Sequence, residues 1–506
     1  MSCLNIIGYI KHSDLSIIRI KKKRIIMETT SKSVMKSALA LGTGTALNII
    51  ISLITTPIIT RIVTPDAYGE WSIFTMYTNI ALMILVLGLD QALIRFFYDN
   101  ENIVYRRNLL KTCFTVSMLF TLLAEMILCI VVFAGRDSFG DLKKIILFLC
   151  FNIAINVINR FSMITLRVTG KNVIYSICTV LTKATFTVVA LFMVLSTEVT
   201  HVEGLCIGTI CSFLVSTIIA IGFNRSIWKL GPFEKVDNFK YILKYSMPFI
   251  ISMGVTTLFQ SIDKISLNYY CTYTEVGIYA SAMTIVNIFA IVQSVFNTMW
   301  APIQVEHFIK KPDDKEFYSK INSFMTIIMF ILGGTIIFSK EVIVFLLGNE
   351  YRQAAFILPF LIFNPIMYTL SETTNTGIEI SKKSYYYIFI GGVSCITNFI
   401  GNMLLVPSLE CQGAAISTGI SYIVFFGLRT CISLKYFKVN YNLDKIVKIT
   451  IFLLIFALYS TFKPFDMIYV IMYVLLLLMI LFNYKSSICE LYKKGKAIIS
   501  SRWLRV

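Results

Sequence analysis

The fold is decided in residues 37–92. They read SALALGTGTALNIIISLITTPIITRIV (37–63), then TPDAYGEW (64–71), then SIFTMYTNIALMILVLGLDQA (72–92). Two apolar runs, each able to cross a hydrocarbon layer of about 30 Å as a helix, meet at a Thr-Pro-Asp turn. The turn recurs as Thr272-Tyr273-Thr274-Glu275-Val276-Gly277-Ile278-Tyr279, again between two apolar runs. Thr64, Gly69, Trp71 and Asn79 fall on Thr272, Gly277, Tyr279 and Asn287, a constant offset of 208 (272 − 64). A paired apolar segment that returns in the same direction predicts two parallel repeats.

The rest of the chain agrees. It has 506 residues, 57% of them hydrophobic, and a mean hydropathy of +0.75. A water-soluble domain of that length does not carry so apolar a composition. About 14 apolar spans are expected, at roughly 37–60, 71–93, 111–134, 143–165, 173–196, 205–224, 244–270, 276–305, 321–340, 353–377, 384–406, 412–434, 447–462 and 467–483. The expected fold class is an all-α polytopic membrane protein. Two six-helix lobes, 37–224 and 244–434, flank a central cavity, and residues 435–483 add two helices. A basic cytoplasmic linker, 225–243, joins the lobes, and a basic tail follows at 484–506. Residues 1–36 read as a cytoplasmic extension, with Met27 and Met35 as alternative starts.

The formal net charge of +18 invites a nucleic-acid reading, but its distribution opposes one. Lys and Arg gather in alternate short loops, while STEVTHVEG (196–204), CTYTE (271–275) and PSLECQG (407–413) hold none. Roughly 37 of the 46 basic residues fall on one side and about 7 on the other. This is the positive-inside pattern, with both termini cytoplasmic. The twelve Cys form no CxxC pair, and His12, His201 and His307 are isolated, so no metal site is legible. No GxxxxGK[ST] sequence is present. No loop on the outer side is long enough for a folded catalytic domain.

Polar residues inside spans are costly and therefore informative. Lys183 lies mid-span among Thr179, Thr182 and Thr187. Asn152, Asn156, Asn159, Arg160 and Arg167 share a helical face, as do Thr256, Gln260, Asp263 and Lys264. Thr45, Asn48, Ser52 and Thr56 make a third stripe. Asn79 and Asp90 lie in span 2, Asn287 in span 8, and Tyr368, Glu372, Asn375 and Glu379 in span 10. The candidate cavity residues are Lys183, Arg160, Lys264, Arg95, Asn48, Asn79, Asn156, Gln260 and Asn287. The candidate coupling or gating acids are Asp90, Asp263, Glu372 and Glu125. The bland alternatives are snorkelling for Arg95, a structural ion pair of Lys183 with Glu125 or Asp263, and a protonated helix contact for Glu125.

The opening TPxxYGxW/Y turn, GTGTALNIIISLITTPIITRIVTPDAYGEWSIFTMY (42–77), resembles the bacterial polysaccharide flippases of the Wzx type. So do Gln412-Gly413-Ala414-Ala415 and its echo Glu203-Gly204. These flippases belong to the multidrug/oligosaccharidyl-lipid/polysaccharide exporter superfamily. The resemblance covers residues 36–483; the N-terminal extension is a departure from the family. It implies an oligosaccharide on undecaprenyl pyrophosphate, turned from the cytoplasmic to the outer leaflet of the bacterial inner membrane by alternating access, for O-antigen or capsule. No covalent step and no cofactor are implied. Coupling to a proton or sodium gradient or to membrane potential is open, and membrane lipids and the polysaccharide polymerase machinery are the implied partners.

Two other readings are weighed. A cation-coupled multidrug exporter of the same superfamily favours buried acids over buried bases. An integral-membrane glycosyltransferase or polymerase needs outer loops longer than these.

Overall fold

The computed structural model describes residue 44, residues 47–48 and residues 50–134, 142–196, 199–229 and 239–490. The expected N-terminal extension, the middle of the linker and the end of the basic tail lie outside these residues. Regular structure among them is all helical. The first lobe contains α1 (Ile50–Ile62), α2 (Pro65–Leu85), α3 (Leu89–Phe96), α4 (Ile103–Ala134), α5 (Leu142–Val168), α6 (Asn172–Val194) and α7 (His201–Phe223). A short α8 (Arg225–Trp228) follows. The second lobe contains α9 (Phe239–Tyr270), α10 (Tyr273–Lys310), α11 (Lys315–Phe338), α12 (Lys340–Val344), α13 (Ala354–Leu361), α14 (Phe363–Thr374), α15 (Thr376–Ser381) and α16 (Tyr385–Tyr436). The chain continues through α17 (Leu443–Phe462) and α18 (Met467–Asn483).

By length and composition, nine described helices can cross a membrane, or up to eleven if each of two bent pairs is one span. One of the nine, α16, is two helices merged across Glu410, where φ is 51° and ψ −131°. At 1.5 Å per residue its 52 residues would otherwise reach about 78 Å. Helices α1 and α18 are shorter apolar segments. Exposure separates the roles of the spans. Only 17% of the apolar window of Ile103–Val132 is buried, against 83% of that of Ala354–Thr374. Thus α4 turns Leu119, Leu123 and Ile127 outward to lipid, and α13 with α14 forms the middle of the second lobe.

Several expected single spans are broken. Span 2 divides into α2 and α3 at a 55° bend. Leu87 and Gly88 both lie in the left-handed region, at φ 55° and 64°. For Leu87 that conformation costs about 1 kcal/mol or more. Span 8, its equivalent in the repeat, bends by 42° between Phe289 and Val292. Span 10 is three short helices, with Pro359 and Pro365 removing two amide donors from the ladder.

The start of α2 follows from its sequence. The Thr64 side chain caps the helix by accepting from the Ala67 N–H, Pro65 occupies the first turn, and Asp66 meets the positive helix end. Across from it stands the start of α10. A Cβ on Gly69 would lie 1.8 Å from the Tyr273 carbonyl oxygen, and a Cβ on Gly277 1.9 Å from the Pro65 carbonyl oxygen. Tyr273 is Pro65 displaced by 208, and Gly277 is Gly69 displaced by 208. The contact is therefore reciprocal, as between two copies related by a two-fold axis. It is geometric evidence for the repeat, independent of the matching letters.

We call the end of the molecule with the Thr64 and Thr272 turns the outer end, following the charge asymmetry of the loops. There the two lobes seal. Besides the glycine crossing, the Gly348 N–H donates to Thr60 Oγ1 at 3.2 Å, and the Tyr351 hydroxyl donates to the Val63 carbonyl at 3.0 Å. Apolar residues from both lobes close over these bonds, among them Ile59, Val63, Tyr68, Val276 and Leu347. At the opposite end Phe96 of α3 packs against Tyr241 and Tyr245 of α9.

The last two helices are held by a buried cation. Lys340 is 1% exposed. Its Nζ donates to the carbonyls of Ser460 and, at 3.1 Å, Lys463, at the carboxyl end of α17. It also sits 4.6 Å over the Phe356 ring. A helix C-terminus carries negative partial charge and the aromatic face adds more, so the ammonium is compensated without a direct ion pair among the described residues.

Candidate functional site

Between the seal and the α3–α9 contact lies a cavity of about 850 Å³, lined by both lobes. From the first lobe come Ser52, Thr55, Trp71, Asn79, Asp90, Arg160 and Lys183. From the second come Gln260, Asp263, Lys264, Asn287 and Tyr368. Eight of the thirteen candidates named from the sequence thus meet on one surface: Lys183, Arg160, Lys264, Asn79, Gln260, Asn287 and the acids Asp263 and Asp90.

The cations differ in their partners. Arg160 is committed, because its Nε and Nη2 both donate to Asp90 Oδ2, at 3.0 and 2.7 Å. Asp90 is wholly buried and also accepts from the Gln91 N–H at 2.8 Å in the first turn of α3. This pair ties the broken half of span 2 to α5. Lys183 and Lys264 are uncommitted: among the described residues neither has a carboxylate within 4 Å or a hydrogen-bond partner for its ammonium. They face the cavity from opposite lobes, Lys183 on α6 and Lys264 on α9.

Asp263 and Lys264 serve different neighbours, as adjacent helix positions must. Asp263 points into the second lobe. Its Oδ1 accepts from Asn398 Nδ2 and Asn402 Nδ2, both at 2.9 Å. Its Oδ2 accepts from the Tyr279 hydroxyl at 2.7 Å and the Thr418 hydroxyl at 2.8 Å. Four neutral donors surround one acid, with no ion pair to it among the described residues. Asn79, Gln260 and Asn287 are exposed within the cavity wall, and no hydrogen-bond partner for their amides is found among the described residues.

Other candidates lie elsewhere. Arg95 pairs with Asp99 at 2.6 Å on the exposed end of α3, off the cavity. Asn156 is buried against Asn152, which itself donates to Thr78 Oγ1 at 2.9 Å, so this part of the α5 stripe is interhelical glue. Asn159 likewise donates to Thr217 Oγ1 at 3.1 Å on α7. Asn48 is half-buried and does not line the cavity. Glu125 stands on α4 away from the cavity, with Oε1 buried and without a hydrogen-bond partner among the described residues. It is not an ion-pair partner of Lys183.

Glu372 is held by Arg429, Nη1 to Oε1 at 2.8 Å, and Asn375 donates to its Oε2 at 3.0 Å. Arg429 is 5% exposed. Sequence reasoning passed over it because it lies within about two turns of the basic loop that follows, where an arginine ordinarily snorkels. Lys340 was missed because it closes the expected span 321–340, and a lysine at a span end ordinarily snorkels. Among the described residues no three His, Cys, Asp or Glu side chains gather as a metal site.

Comparison with known proteins agrees with this architecture. The family described as "Polysaccharide biosynthesis protein" matches residues 34–308, more than half of the chain. A curated relative from Haloferax volcanii, named "Probable low-salt glycan biosynthesis flippase Agl15", is 22% identical over 223 residues. That match spans 42% of this chain and 46% of the relative, so the chain aligns with about half of the relative's length. Among solved structures, the Lipid II flippase MurJ in an inward closed conformation superposes with a TM-score of 0.67 at 15% identity, covering 89% of this chain and 100% of that one. An inward-facing multidrug resistance MATE transporter of the MOP superfamily gives 0.57 at 13%, covering 79% and 97%. These likenesses are of fold. The chain is a multi-pass membrane protein that shares the fold of these solved structures, and it belongs to the polysaccharide biosynthesis protein family.

Proposed function

We propose that this chain carries a glycan linked through a diphosphate to a polyisoprenoid lipid from the cytoplasmic to the outer leaflet, for surface polysaccharide assembly. The observation that carries the reading is the pair of uncommitted cations, Lys183 and Lys264, facing one polar cavity from opposite lobes. A diphosphate crossing hydrocarbon unaided meets a Born cost on the order of 20 kcal/mol per charge. Two ammonium groups in a wet cavity replace its counter-ions. Asn79, Gln260 and Asn287 offer amide donors and acceptors of the kind sugar hydroxyls need. Because the two lysines belong to different lobes, an anion held by both favours the lobe arrangement that brings them together, which is what alternating access requires. The cargo moves without a bond being made or broken.

Closure at the outer end supports loading from the cytoplasmic side, and the positive-inside asymmetry supports both termini in the cytoplasm of a bacterial inner membrane. A cationic drug as cargo is disfavoured by two free ammonium groups in the cavity. Deleting the gene is expected to stop surface polysaccharide and to leave lipid-linked glycans on the cytoplasmic leaflet, read by mass spectrometry of lipid extracts and by surface labelling. Normal surface polysaccharide with new sensitivity to cationic dyes would move the assignment to a drug exporter. Hand-over to the polysaccharide polymerase machinery belongs to the same reading.

Coupling is assigned to Asp263, an acid in a cage of neutral donors that a proton or a monovalent cation would neutralise. In vesicles with imposed gradients, Asp263→Asn is expected to keep a slow transport that no longer responds to the gradient. A gradient response equal to that of the wild type would remove Asp263 from this role.

A further inference from the structure

The cavity wall beside Lys183 is aromatic, and the transport reading makes no use of it. Phe186 lies three residues beyond Lys183 on α6, on the same face and about 4.5 Å nearer the outer end. Its ring stacks on Trp71 of α2, with centroids 5.2 Å apart and planes at 18°. Tyr68 meets the same indole at 5.3 Å and 48°. The Trp71 Nε1–H donates to Thr209 Oγ1 at 2.9 Å, and Thr209 Oγ1 donates onward to the Leu205 carbonyl at 2.8 Å. The indole is thus held at its edge by α7 and supported on α6. All three rings line the cavity, and Trp71 is only half-buried.

A rigid indole with its polar atom satisfied leaves an apolar surface on an otherwise polar wall. Its neighbours on α2 are Ser72, Thr75 and, two turns on, Asn79, which also line the cavity. A hydrocarbon chain laid across this region would strand those hydroxyl and amide groups. A pyranose ring would not. It presents a face of C–H bonds, which the negative face of an aromatic ring attracts, bordered by hydroxyls. The cation and the rings are one helical turn apart, similar to the span of one sugar unit.

We infer that Trp71, fixed by Thr209 and backed by Phe186, is the stacking platform for the sugar bonded directly to the diphosphate held at Lys183. This rests on the cargo being a diphosphate-linked glycan. It also gives the cargo a polarity: the glycan points to the sealed outer end and the lipid trails from the diphosphate towards the bilayer. Selectivity for the first sugar then resides on α2, α6 and α7 of the first lobe.

The test is binding to the full chain in detergent, with two probes: undecaprenyl diphosphate, and the lipid-linked glycan extracted from cells lacking the chain. The wild type is expected to prefer the glycosylated lipid. Trp71→Ala should weaken the glycosylated lipid about tenfold and the bare diphosphate lipid less than twofold, and Trp71→Phe should recover most of the loss. Equal loss on both probes, no loss, or a wild type that binds both lipids equally would overturn the platform and leave the transport reading standing. Failure of the wild type to bind either lipid would sink the transport reading instead. Should Trp71→Ala not fold, Thr209→Val frees the ring without removing it, and the ratio of the two affinities should fall in the same direction; an unchanged ratio would overturn the platform.

Discussion

Replacing Lys183 by alanine is expected to reduce transport about 100-fold or more, with the protein still present in the membrane at its normal level. Lys183 is the eleventh residue past the start of α6, so at 1.5 Å per residue it lies about 16 Å into the span, near the bilayer middle. A cation at that depth is kept by a counter-charge, by water, or by both. The counter-charges considered from the sequence are otherwise placed: Glu125 lies away from the cavity, and Asp263 is enclosed by Tyr279, Asn398, Asn402 and Thr418. The ammonium therefore faces the cavity, where the proposed anionic cargo would be the compensating charge. Lys183→Arg should keep part of the activity, since the charge survives in a broader planar shape. Lys264→Ala should have a similar effect, because the second ammonium comes from the opposite lobe and the proposed diphosphate would be held across the interface by the two together. Surface polysaccharide and membrane abundance would be measured side by side. Full activity of Lys183→Ala would end its role, and loss of the protein from the membrane would make Lys183 a structural residue.

Gly69→Ala is expected to abolish transport by preventing closure of the outer end. The added methyl would fall 1.8 Å from the Tyr273 carbonyl oxygen and 2.9 Å from the Gly277 nitrogen. Ordinary contact begins near 3.4 Å, and both neighbours are backbone, so neither can swing aside as a side chain would. The crossing of α2 and α10 must open by about 1.5 Å, at a cost of several kcal/mol in a packed contact. Some 5.5 kcal/mol suffices to carry a two-state equilibrium from 1:99 to 99:1, so the sealed form becomes the minor one. A cysteine placed at Asn79 in a Cys-free background should then react with a membrane-impermeant maleimide added outside, while the same cysteine with Gly69 intact should stay protected. Gly277→Ala is the reciprocal change, meeting the Pro65 carbonyl oxygen at 1.9 Å, and should behave alike. Protection that persists in both variants would show that the glycine crossing is not the seal.

Much of the site was legible because burying charge in a membrane is expensive. Lys183, Arg160, Asp263 and Lys264 stand out in any apolar run, and all four lie on the cavity wall. The helical period by itself also joins Gln260 to Lys264. It failed in two ways. It cannot separate a stripe facing a cavity from one facing another helix: Asn152, Asn156 and Asn159 obey the same spacing but are spent on Thr78, on each other and on Thr217. It also cannot see aromatic groups as site residues. Trp71 reads as one more apolar letter until Thr209 and Phe186, 138 and 115 residues downstream, are brought against it.

By itself, the sequence determined the class and the symmetry of this protein. Hydropathy demands spans because unpaired backbone groups cannot be left in hydrocarbon, and a 208-residue echo demands two like halves. Those are properties of chain segments, written in runs of neighbouring residues. Only the tertiary structure decided which charges are spent and which remain free. Asp90 neutralises Arg160 across 70 positions, and Arg429 holds Glu372 across 57. Among the described residues Lys183 and Lys264 are left without an ion-pair partner, on opposite walls. The bends were decided there too: α2 breaks at Leu87, a residue with no intrinsic preference for the left-handed region, because packing of α3 on α9 outweighs a local strain of about 1 kcal/mol. Pairing energies depend on distance in space, and a linear chain does not state which of its distant residues will be near.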